Sequence, residues 1–227
     1  MDLKSYKAVV FDLFHTLTSV ESTRAPGRGT SEILGVLRED WNEQLLFHSE
    51  DRLRGRVKDS FEIVRKMAHA IDAQIPDEVI REAARTRAMR FRHALKYIEP
   101  GTVYVLKKLK DMGKLIGLIS NGDVNEISGW DDSPLKRYFD SVVFSCFAGY
   151  IKPERKAYEM CFSKLQVLPE ESLYIGDGNC DELKGAREIG MTTVLTIRVI
   201  KKIWPERIDE RRKYADYEID ELKELFK

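Results

Sequence analysis

Four short apolar runs of this sequence are followed by residues whose side chains could do chemistry. Asp12 comes directly after "VVF", and Ser120 directly after "LIGLI". Lys152 lies shortly after a second "VVF", and Asp177 lies in "GDGNCD", which follows "LYI". If the runs are parallel strands, their carboxyl ends share the sheet edge at which open α/β folds bind ligands. The sequence therefore predicts that acids, a hydroxyl and an amine meet in one crevice.

The acids of such a crevice suggest a nucleophile beside a bound cation. A carboxylate is a competent nucleophile, because it divides a difficult displacement into two steps through a covalent intermediate. Asp12, Asp177 and Asp181 would repel one another there, and a divalent cation would remove the repulsion. Mg²⁺ prefers carboxylate, carbonyl and water oxygens, usually alongside substrate phosphate. We therefore expect a magnesium site next to a nucleophilic Asp12.

The other polar residues suit the binding of a phosphoryl group. Lys152 would be a fixed positive charge that holds phosphoryl oxygens, since phosphoryl transfer depends chiefly on positioning and charge neutralisation. Ser120 and the backbone N–H groups near Asn121 would hydrogen-bond the same oxygens. Structural roles remain open: Asp12 could end its strand, and Ser120 and Asn121 could form a turn. Lys152 could be solvated, and Asp181 could cap the helix that follows it.

The elements that must position these residues alternate along most of the chain. Apolar runs that suit strands buried on both faces recur at 8–11, 115–119, 142–144, 173–175 and 193–197. Residues at helical spacing lie between the later runs. This alternation predicts an α/β fold with a Rossmann-like, doubly wound parallel sheet.

Residues 19–98 interrupt the alternation. They are strongly charged and show no convincing strand, and "EILGVLREDWNEQLL" and "VIREAARTRAMRFRHAL" place apolar residues at helical spacing. We therefore predict an α/β core domain of residues 1–18 and 99–227, and an inserted helical domain of residues 19–98.

The motifs in this order resemble the haloacid dehalogenase superfamily of aspartate-nucleophile hydrolases. The matching residues are Asp12 with Thr16, Ser120, Lys152, and Asp177 with Asp181. The closing "ADYEIDELKEL" is similar to that family's last strand and helix, and the helical insertion resembles its type-one cap. The resemblance implies a small phosphorylated or halogenated substrate. It also implies magnesium ligands, namely Asp12, the backbone carbonyl of Phe14, Asp177 and Asp181.

Phe14 departs from the pattern of the family's phosphatases. These usually carry a second aspartate two residues after the nucleophile as general acid. The dehalogenase branch tolerates an aromatic residue there, because a halide leaves without being protonated. A 2-haloacid dehalogenase in which Asp12 attacks carbon therefore stays open. His15 could donate the proton instead, but in an extended backbone its side chain would point to the other side.

The acids of "GDGNCD" favour the phosphatase, because those dehalogenases carry serine and asparagine in this motif. We therefore favour a magnesium-dependent phosphatase that hydrolyses phosphoric monoesters or acyl phosphates through an aspartyl-phosphate on Asp12. Good leaving groups, as in acyl or aryl phosphates, would need little help from a general acid. The alternatives are the dehalogenase and a low-turnover protein that binds a phosphate ligand.

The composition narrows the range of partners. Among 227 residues, 38 Lys and Arg balance 38 Asp and Glu, which gives no electrostatic case for nucleic acid or an anionic membrane. Three cysteines without CxxC spacing indicate reduced thiols in a cytoplasmic protein. We expect no signal peptide, and no apolar run approaches the roughly 20 residues that span a bilayer. Both a monomer and a homodimer are compatible with the sequence.

Overall fold

A six-stranded sheet organises the protein, in a computed structural model that describes residues 2–18 and 25–227. The strands are β1 (Ala8–Phe11), β2 (Leu115–Ser120), β3 (Ser141–Phe144), β4 (Ser172–Gly176), β5 (Thr192–Thr196) and β6 (Tyr217–Ile219). Their order across the sheet is β3-β2-β1-β4-β5-β6, and every neighbouring pair is parallel. The predicted α/β class is therefore confirmed, and all carboxyl ends lie along one edge.

β1 is a central strand, covered on both faces of the sheet. All of Ala8–Phe11 is 0% exposed, which suits an uninterrupted apolar run. Phe11 stands in register with Leu118 of β2 and with Ile175 of β4. The amide of Asp12, the next residue, donates to the carbonyl of Ile175 at 2.9 Å. The strand ladder thus holds Asp12 at the carboxyl edge.

Eleven α-helices occur within the described residues. They are α1 (Thr30–Leu34), α2 (Arg38–Phe47), α3 (Glu50–Leu53), α4 (Ser60–Ile71), α5 (Asp77–Lys96), α6 (Pro100–Asp111), α7 (Ser145–Ala148), α8 (Arg155–Leu165), α9 (Glu182–Glu188), α10 (Ile200–Ile203) and α11 (Ile208–Arg212). The first six lie between β1 and β2, and the first five of these lie within residues 19–98, where the helical insertion was predicted. None of these helices is both long and apolar enough to cross a membrane.

The stretch "EILGVLREDWNEQLL" forms two helices, although its apolar spacing runs through both. Gly35 ends α1 with φ of 70°, and its N–H donates to the carbonyl of Glu32. This left-handed conformation carries no steric penalty for a residue without Cβ, so glycine commonly terminates helices in this way. The chain then turns before α2 begins.

Apolar side chains form a layer on each face of the sheet and a third cluster inside the insertion. One layer packs α6 against β1 and β2, and the other packs α8 and α9 against β1 and β4. The third cluster lies within residues 33–84 and is built from α1, α2, α4 and α5, with Trp41, Val64 and Ile80 among its buried members. The helical insertion therefore has apolar packing of its own.

A buried charge cluster of four residues joins the insertion to the loop after β2. Its members are Arg52 in α3, Arg87 in α5, Asp123 and Glu126. Arg52 Nη1 is 2.8 Å from Oδ2 of Asp123, and Arg87 Nη2 is 2.5 Å from Oε1 of Glu126. Burial alone would raise the pKa of Asp123, but the charges of Arg87 and Arg52 outweigh it and lower that pKa. These ion pairs hold the helical insertion against the sheet edge.

Candidate active site

Asp12 and Lys152 form a buried ion pair at the carboxyl edge. Nζ of Lys152 is 2.5 Å from Oδ1 of Asp12. Burial alone would lower the pKa of Lys152, but the charges of Asp12 and Glu182 raise it, so the ammonium group stays protonated. Burial raises the pKa of Asp12, Lys152 opposes this shift, and the charge of Asp177 adds to it. Asp12 therefore faces a fixed positive charge, as a nucleophile for an anionic substrate requires.

Asn121 supports Lys152 through its side chain. Oδ1 of Asn121 accepts a hydrogen bond from the N–H of Lys152 at 2.8 Å, and Nδ2 donates to the carbonyl of Lys152 at 3.1 Å. Both ends of the amide are thus engaged with the same residue. The predicted contact of Asn121 with substrate therefore depends on its backbone N–H rather than on its side chain.

Ser120 is the last residue of β2, and its hydroxyl is buried. Among the described residues, Oγ of Ser120 has no hydrogen-bond partner. A buried polar group left without a partner costs about 1–3 kcal/mol. A ligand oxygen that accepts a hydrogen bond from the Ser120 hydroxyl would remove this cost. Ser120 is thereby suited to its predicted role in binding phosphoryl oxygens.

Three buried carboxylates, one of them that of Asp12, lie close together at the carboxyl edge. Asp12, Asp177 and Glu182 each offer an oxygen, and these oxygens lie within 4.8 Å of one another. Hard oxygen donors at this spacing fit the coordination preferences of magnesium. The pKa of Glu182 is raised to about 8: burial is the largest cause, the charges of Asp12 and Asp177 add to it, and Lys152 opposes it.

The third carboxylate of this cluster is Glu182, while Asp181, which the resemblance implied as a magnesium ligand, is not among the three. Asp181 has φ of 51°, is exposed, and lies outside the acidic cluster. Its side chain also makes no capping hydrogen bond to α9, although it occupies the N-cap position. Glu182 begins α9 and is 1% exposed. Because the backbone of Asp181 is left-handed, the helix begins only at Glu182, and Glu182 is the acid on its buried face.

Glu182 is held by three donors from different elements. Its Oε2 is 2.5 Å from Nζ of Lys152 and accepts from the hydroxyl of Tyr174 at 2.8 Å, while its Oε1 accepts from the N–H of Gly178 at 2.9 Å. A Cβ added at Gly176 would lie 2.0 Å from Oε1 of Glu182. Glycine at the end of β4 therefore leaves the space that the Glu182 carboxylate fills.

Asp177 is paired with cationic or donor groups on both of its oxygens. Nη1 of Arg211 donates to Oδ2 at 2.8 Å, Nδ1 of His15 lies 3.7 Å from Oδ2, and the N–H of Asn179 donates to Oδ1 at 3.0 Å. Burial alone would raise the pKa of Asp177, but His15 and Arg211 outweigh it and hold the pKa at about 2. Asp177 is therefore ionised at neutral pH.

Phe14 and His15 lie on the loop that follows the nucleophile. The ring of Phe14 packs edge-on against Phe91 of α5, with ring centroids 5.4 Å apart. Position 14 thus supplies an apolar contact to the helical insertion and no acid. The expectation that His15 points away from the site was wrong, because its backbone is not extended: φ of 62° places the imidazole beside Asp177.

The sequence did not identify three residues of this site, namely Glu182, Tyr174 and Arg211. Glu182 precedes Ala186 by four residues, so it lies on the helix face that Ala186 and Ile189 make apolar, and an acid on that face is expected to be buried. Tyr174 was counted only as a strand residue. No local pattern marks Arg211, since it comes from "DERRK", where solvated charges are the ordinary interpretation.

The sequence matches the family model of the haloacid dehalogenase-like hydrolases over residues 6–190. The chain therefore belongs to that family, and its recognition from the motifs is confirmed. It is 34% identical over 129 residues to a glyceraldehyde 3-phosphate phosphatase of Pyrococcus furiosus, covering 56% of this chain and 52% of that protein. The chain thus matches about half the length of that relative.

Two further similarities extend over most of the chain. An (S)-2-haloacid dehalogenase 4A of Burkholderia cepacia is 29% identical, covering 84% of this chain and 82% of that protein. The crystal structure of a phosphatase of the family from Thermococcus onnurineus superimposes with a TM-score of 0.61 at 26% identity, covering 96% of this chain and 95% of the other. Both activities that Phe14 left open are therefore represented among the relatives.

Proposed function

We propose that this protein is a magnesium-dependent phosphatase that works through an aspartyl-phosphate on Asp12. The observation that carries the proposal is the grouping of Asp12, Asp177 and Glu182, whose oxygens lie within 4.8 Å of one another. Three carboxylates are more than a metal-free attack on carbon requires, whereas they suit a site that holds a cation beside phosphate. The similarity to the Pyrococcus furiosus phosphatase supports the same reading.

In the first step, an oxygen of Asp12 forms a bond to phosphorus while the bond from phosphorus to the leaving oxygen breaks. Lys152, 2.5 Å from Asp12, neutralises charge on the phosphoryl oxygens, and the hydroxyl of Ser120 donates to one of them. Asp12, the backbone carbonyl of Phe14, Asp177 and Glu182 would hold magnesium. When bound, the cation neutralises the charge that gathers on the phosphoryl oxygens.

In the second step, water attacks the phosphorus of the aspartyl-phosphate. The bond between phosphorus and Asp12 breaks, inorganic phosphate leaves, and the carboxylate is restored. The fixed positive charge of Lys152 then faces Asp12 again, so it neutralises the negative charge of the carboxylate before the next substrate binds. Water is the only co-reactant in this sequence, and both steps balance as a hydrolysis.

The leaving group receives little protonation at this site. Phe14 occupies the position at which phosphatases of the family carry an acid, and its ring is engaged with Phe91. His15 is close to Asp177 and so belongs to the environment of the metal ligands. Substrates that leave as weak bases, such as acyl or aryl phosphates, should therefore react fastest. We infer a small phosphorylated substrate, consistent with the relative named for glyceraldehyde 3-phosphate.

The second candidate is a 2-haloacid dehalogenase in which Asp12 displaces halide from carbon. Two observations favour it. Phe14 replaces the general acid, which a halide does not need, and the Burkholderia cepacia relative named as a dehalogenase covers 84% of this chain. In this reading Lys152 compensates the nucleophile, and Asp177 and Glu182 are structural acids neutralised by Arg211 and Lys152.

The three cysteines support the predicted cytoplasmic location. All of them are free thiols in the structure, as expected in a reducing compartment. We therefore place the proposed reaction in the cytoplasm, with small metabolites rather than macromolecules as substrates.

The experiment that separates the candidates measures phosphate and halide release by the same preparation. Acetyl phosphate, p-nitrophenyl phosphate, glyceraldehyde 3-phosphate and 2-chloropropionate are each supplied with magnesium or with a chelator. Release of phosphate that requires magnesium and disappears in Asp12→Asn supports the phosphatase. Release of chloride in the chelator contradicts it and supports the dehalogenase. Magnesium binding without release of either product points to the low-turnover binding protein.

A further inference from the structure

Arg211 occupies a position that the proposed mechanism does not use. It belongs to α11, its side chain is 6% exposed, and Nη1 donates at 2.8 Å both to the carbonyl oxygen and to Oδ2 of Asp177. Nη2 lies 3.4 Å from Oδ1 of Asn179. A Cβ added at Gly178 would lie 2.8 Å from Cβ of Arg211. The guanidinium is therefore fitted closely against the loop that presents Asp177.

Trp204 contacts both cationic neighbours of Asp177. The centroid of its ring lies 5.8 Å from the central guanidinium carbon of Arg211, and the ring of His15 packs edge-on against Trp204 with centroids 5.2 Å apart. Arg211 and Lys152, which lies between Asp12 and Glu182, thus bring two permanent cations to three carboxylates.

We infer that Arg211 is the resident counter-ion of Asp177 and sets the affinity of the site for divalent cations. The inference rests on the proposed function, because it concerns the same acidic cluster. Magnesium at Asp177 and a guanidinium at 2.8 Å from Oδ2 draw on the charge of the same carboxylate. They also repel each other in a buried environment where charges are poorly screened. Each must therefore weaken the binding of the other, and linkage makes this effect reciprocal.

The structure offers a place for the guanidinium when the cation binds. A cavity of about 320 Å³ lies between the loop at 178–181 and α11, and Arg211 contributes to its wall. The acids Asp181 and Glu210 and the cations Lys184, Arg207 and Lys213 line the same cavity. The cavity gives the guanidinium room to move away from Asp177.

The test is calorimetric titration of magnesium into the purified full chain, at a pH well above the ordinary pKa of a carboxyl group. Arg211→Met should bind magnesium about 5- to 150-fold more tightly than the wild type, the usual range of coupling between two ligands of one protein. Arg211→Lys keeps the positive charge but loses the planar set of N–H donors of the guanidinium, so its magnesium affinity should lie between those of the wild type and Arg211→Met. The matched control is Arg212→Met, because Arg212 is exposed and pairs with Asp209 and Glu218 instead.

A second measurement uses the wild type and needs no variant of Arg211. Since Trp204 contacts both Arg211 and His15, displacement of the guanidinium should change the fluorescence of Trp204 when magnesium is added. Trp204→Phe should remove that change while magnesium still binds, which separates it from the signals of Trp41 and Trp130.

The results distinguish failure of this inference from failure of the proposed function. If Arg211→Met and Arg211→Lys bind magnesium no more tightly than the wild type and Arg212→Met, the inference is overturned and the magnesium site stands. If neither the wild type nor any variant binds magnesium, both are overturned. If Arg211→Met does not fold, the comparison of Arg211→Lys with the wild type and the Trp204 signal decides in the same way.

Discussion

The carboxylate of Glu182 is the clearest case in which one side chain decides what this site can bind. It sits among Lys152, Tyr174 and the N–H of Gly178, with contacts of 2.5 to 2.9 Å. Its neighbour Asp181 is exposed and lies outside the acidic cluster. The two residues therefore form a matched pair for mutation, since they are adjacent acids of the same chain segment in different environments.

We predict that Glu182→Gln weakens magnesium binding by about tenfold or more, because the amide keeps the shape but cannot ionise to the carboxylate that binds the cation. Asp181→Asn should change the dissociation constant by less than about twofold, since surface charges contribute little. Titration calorimetry on both variants measures the difference. A larger loss in Asp181→Asn would restore Asp181 as the metal ligand and contradict the assignment of Glu182.

For the proposed phosphatase, we predict that Phe14 determines how strongly the rate depends on the leaving group. Without an acid at this position, the rate should fall steeply as the pKa of the leaving alcohol rises. Phe14→Asp should flatten that dependence, because a positioned general acid contributes about 10²–10⁴-fold to steps that need proton transfer. The measurement is a plot of rate against leaving-group pKa for a series of aryl and alkyl phosphates. A flat plot for the wild type would mean that another residue supplies the proton, and His15→Ala would be the next variant.

The residues at strand ends could be placed from sequence because a parallel sheet brings its carboxyl ends together. Asp12, Lys152 and Asp177 follow strands directly or closely, and the structure brings them into one site. Glu182 lies on a helix, where its position depends on the left-handed backbone of the residue before it. Arg211 depends on how α11 packs against a distant loop, which no local pattern encodes.

At the scale of elements, the buried charge cluster joins α3 and α5 to the loop after β2. Arg52→Met should destabilise the protein by about 3–5 kcal/mol, because it leaves Asp123 buried with one of its two arginine partners removed. Arg56→Met is the matched control, since Arg56 is exposed and pairs with Asp51, and it should cost less than about 1 kcal/mol. Urea unfolding gives both values. Equal effects of the two variants would show that the cluster does not stabilise the fold.

The same cluster predicts a change of stability with pH. The pKa of Asp123 is lowered in the folded state, because the charges of Arg87 and Arg52 outweigh its burial. Its stabilising contribution is therefore complete above the ordinary carboxyl pKa of about 4 and is lost as the pH falls below that value. Arg52→Met should bring the pKa of Asp123 closer to its ordinary value, so less stability is lost between neutral and acid pH than in the wild type. Thermal melts across the acid range measure this loss for both proteins, and an equal loss would contradict the prediction.

The strands could be predicted closely because burial on both faces demands uninterrupted apolar runs. The run at 173–175, for example, lies inside β4, and β1 coincides with the predicted 8–11. The helices of the insertion were less regular than their spacing indicated, because the left-handed turn at Gly35 divides one pattern into α1 and α2. Apolar spacing reports which side of a helix is buried, but not where a turn interrupts it.

At the scale of the whole molecule, the helical insertion packs against loops at the sheet edge that carries the site. Contacts such as Phe14 with Phe91, and Arg52 with Asp123, join the two parts. The alternation of strands and helices predicted the α/β fold, and the order of the motifs predicted the family. The packing of the insertion against the sheet edge depends on ion pairs between residues far apart in sequence, such as Arg52 and Asp123, so it could be described only from the structure.

The central claim is that Asp12 attacks phosphorus, and the adduct formed on Asp12 tests it most directly. The protein is mixed with p-nitrophenyl phosphate and magnesium, quenched in acid during turnover, and digested for mass spectrometry of the peptide that contains residue 12. We predict a phosphoryl group on Asp12 that requires magnesium and is absent from Asp12→Asn. A protein that releases phosphate without this adduct would contradict the account. So would an alkyl ester on Asp12 formed from 2-chloropropionate in the presence of a chelator.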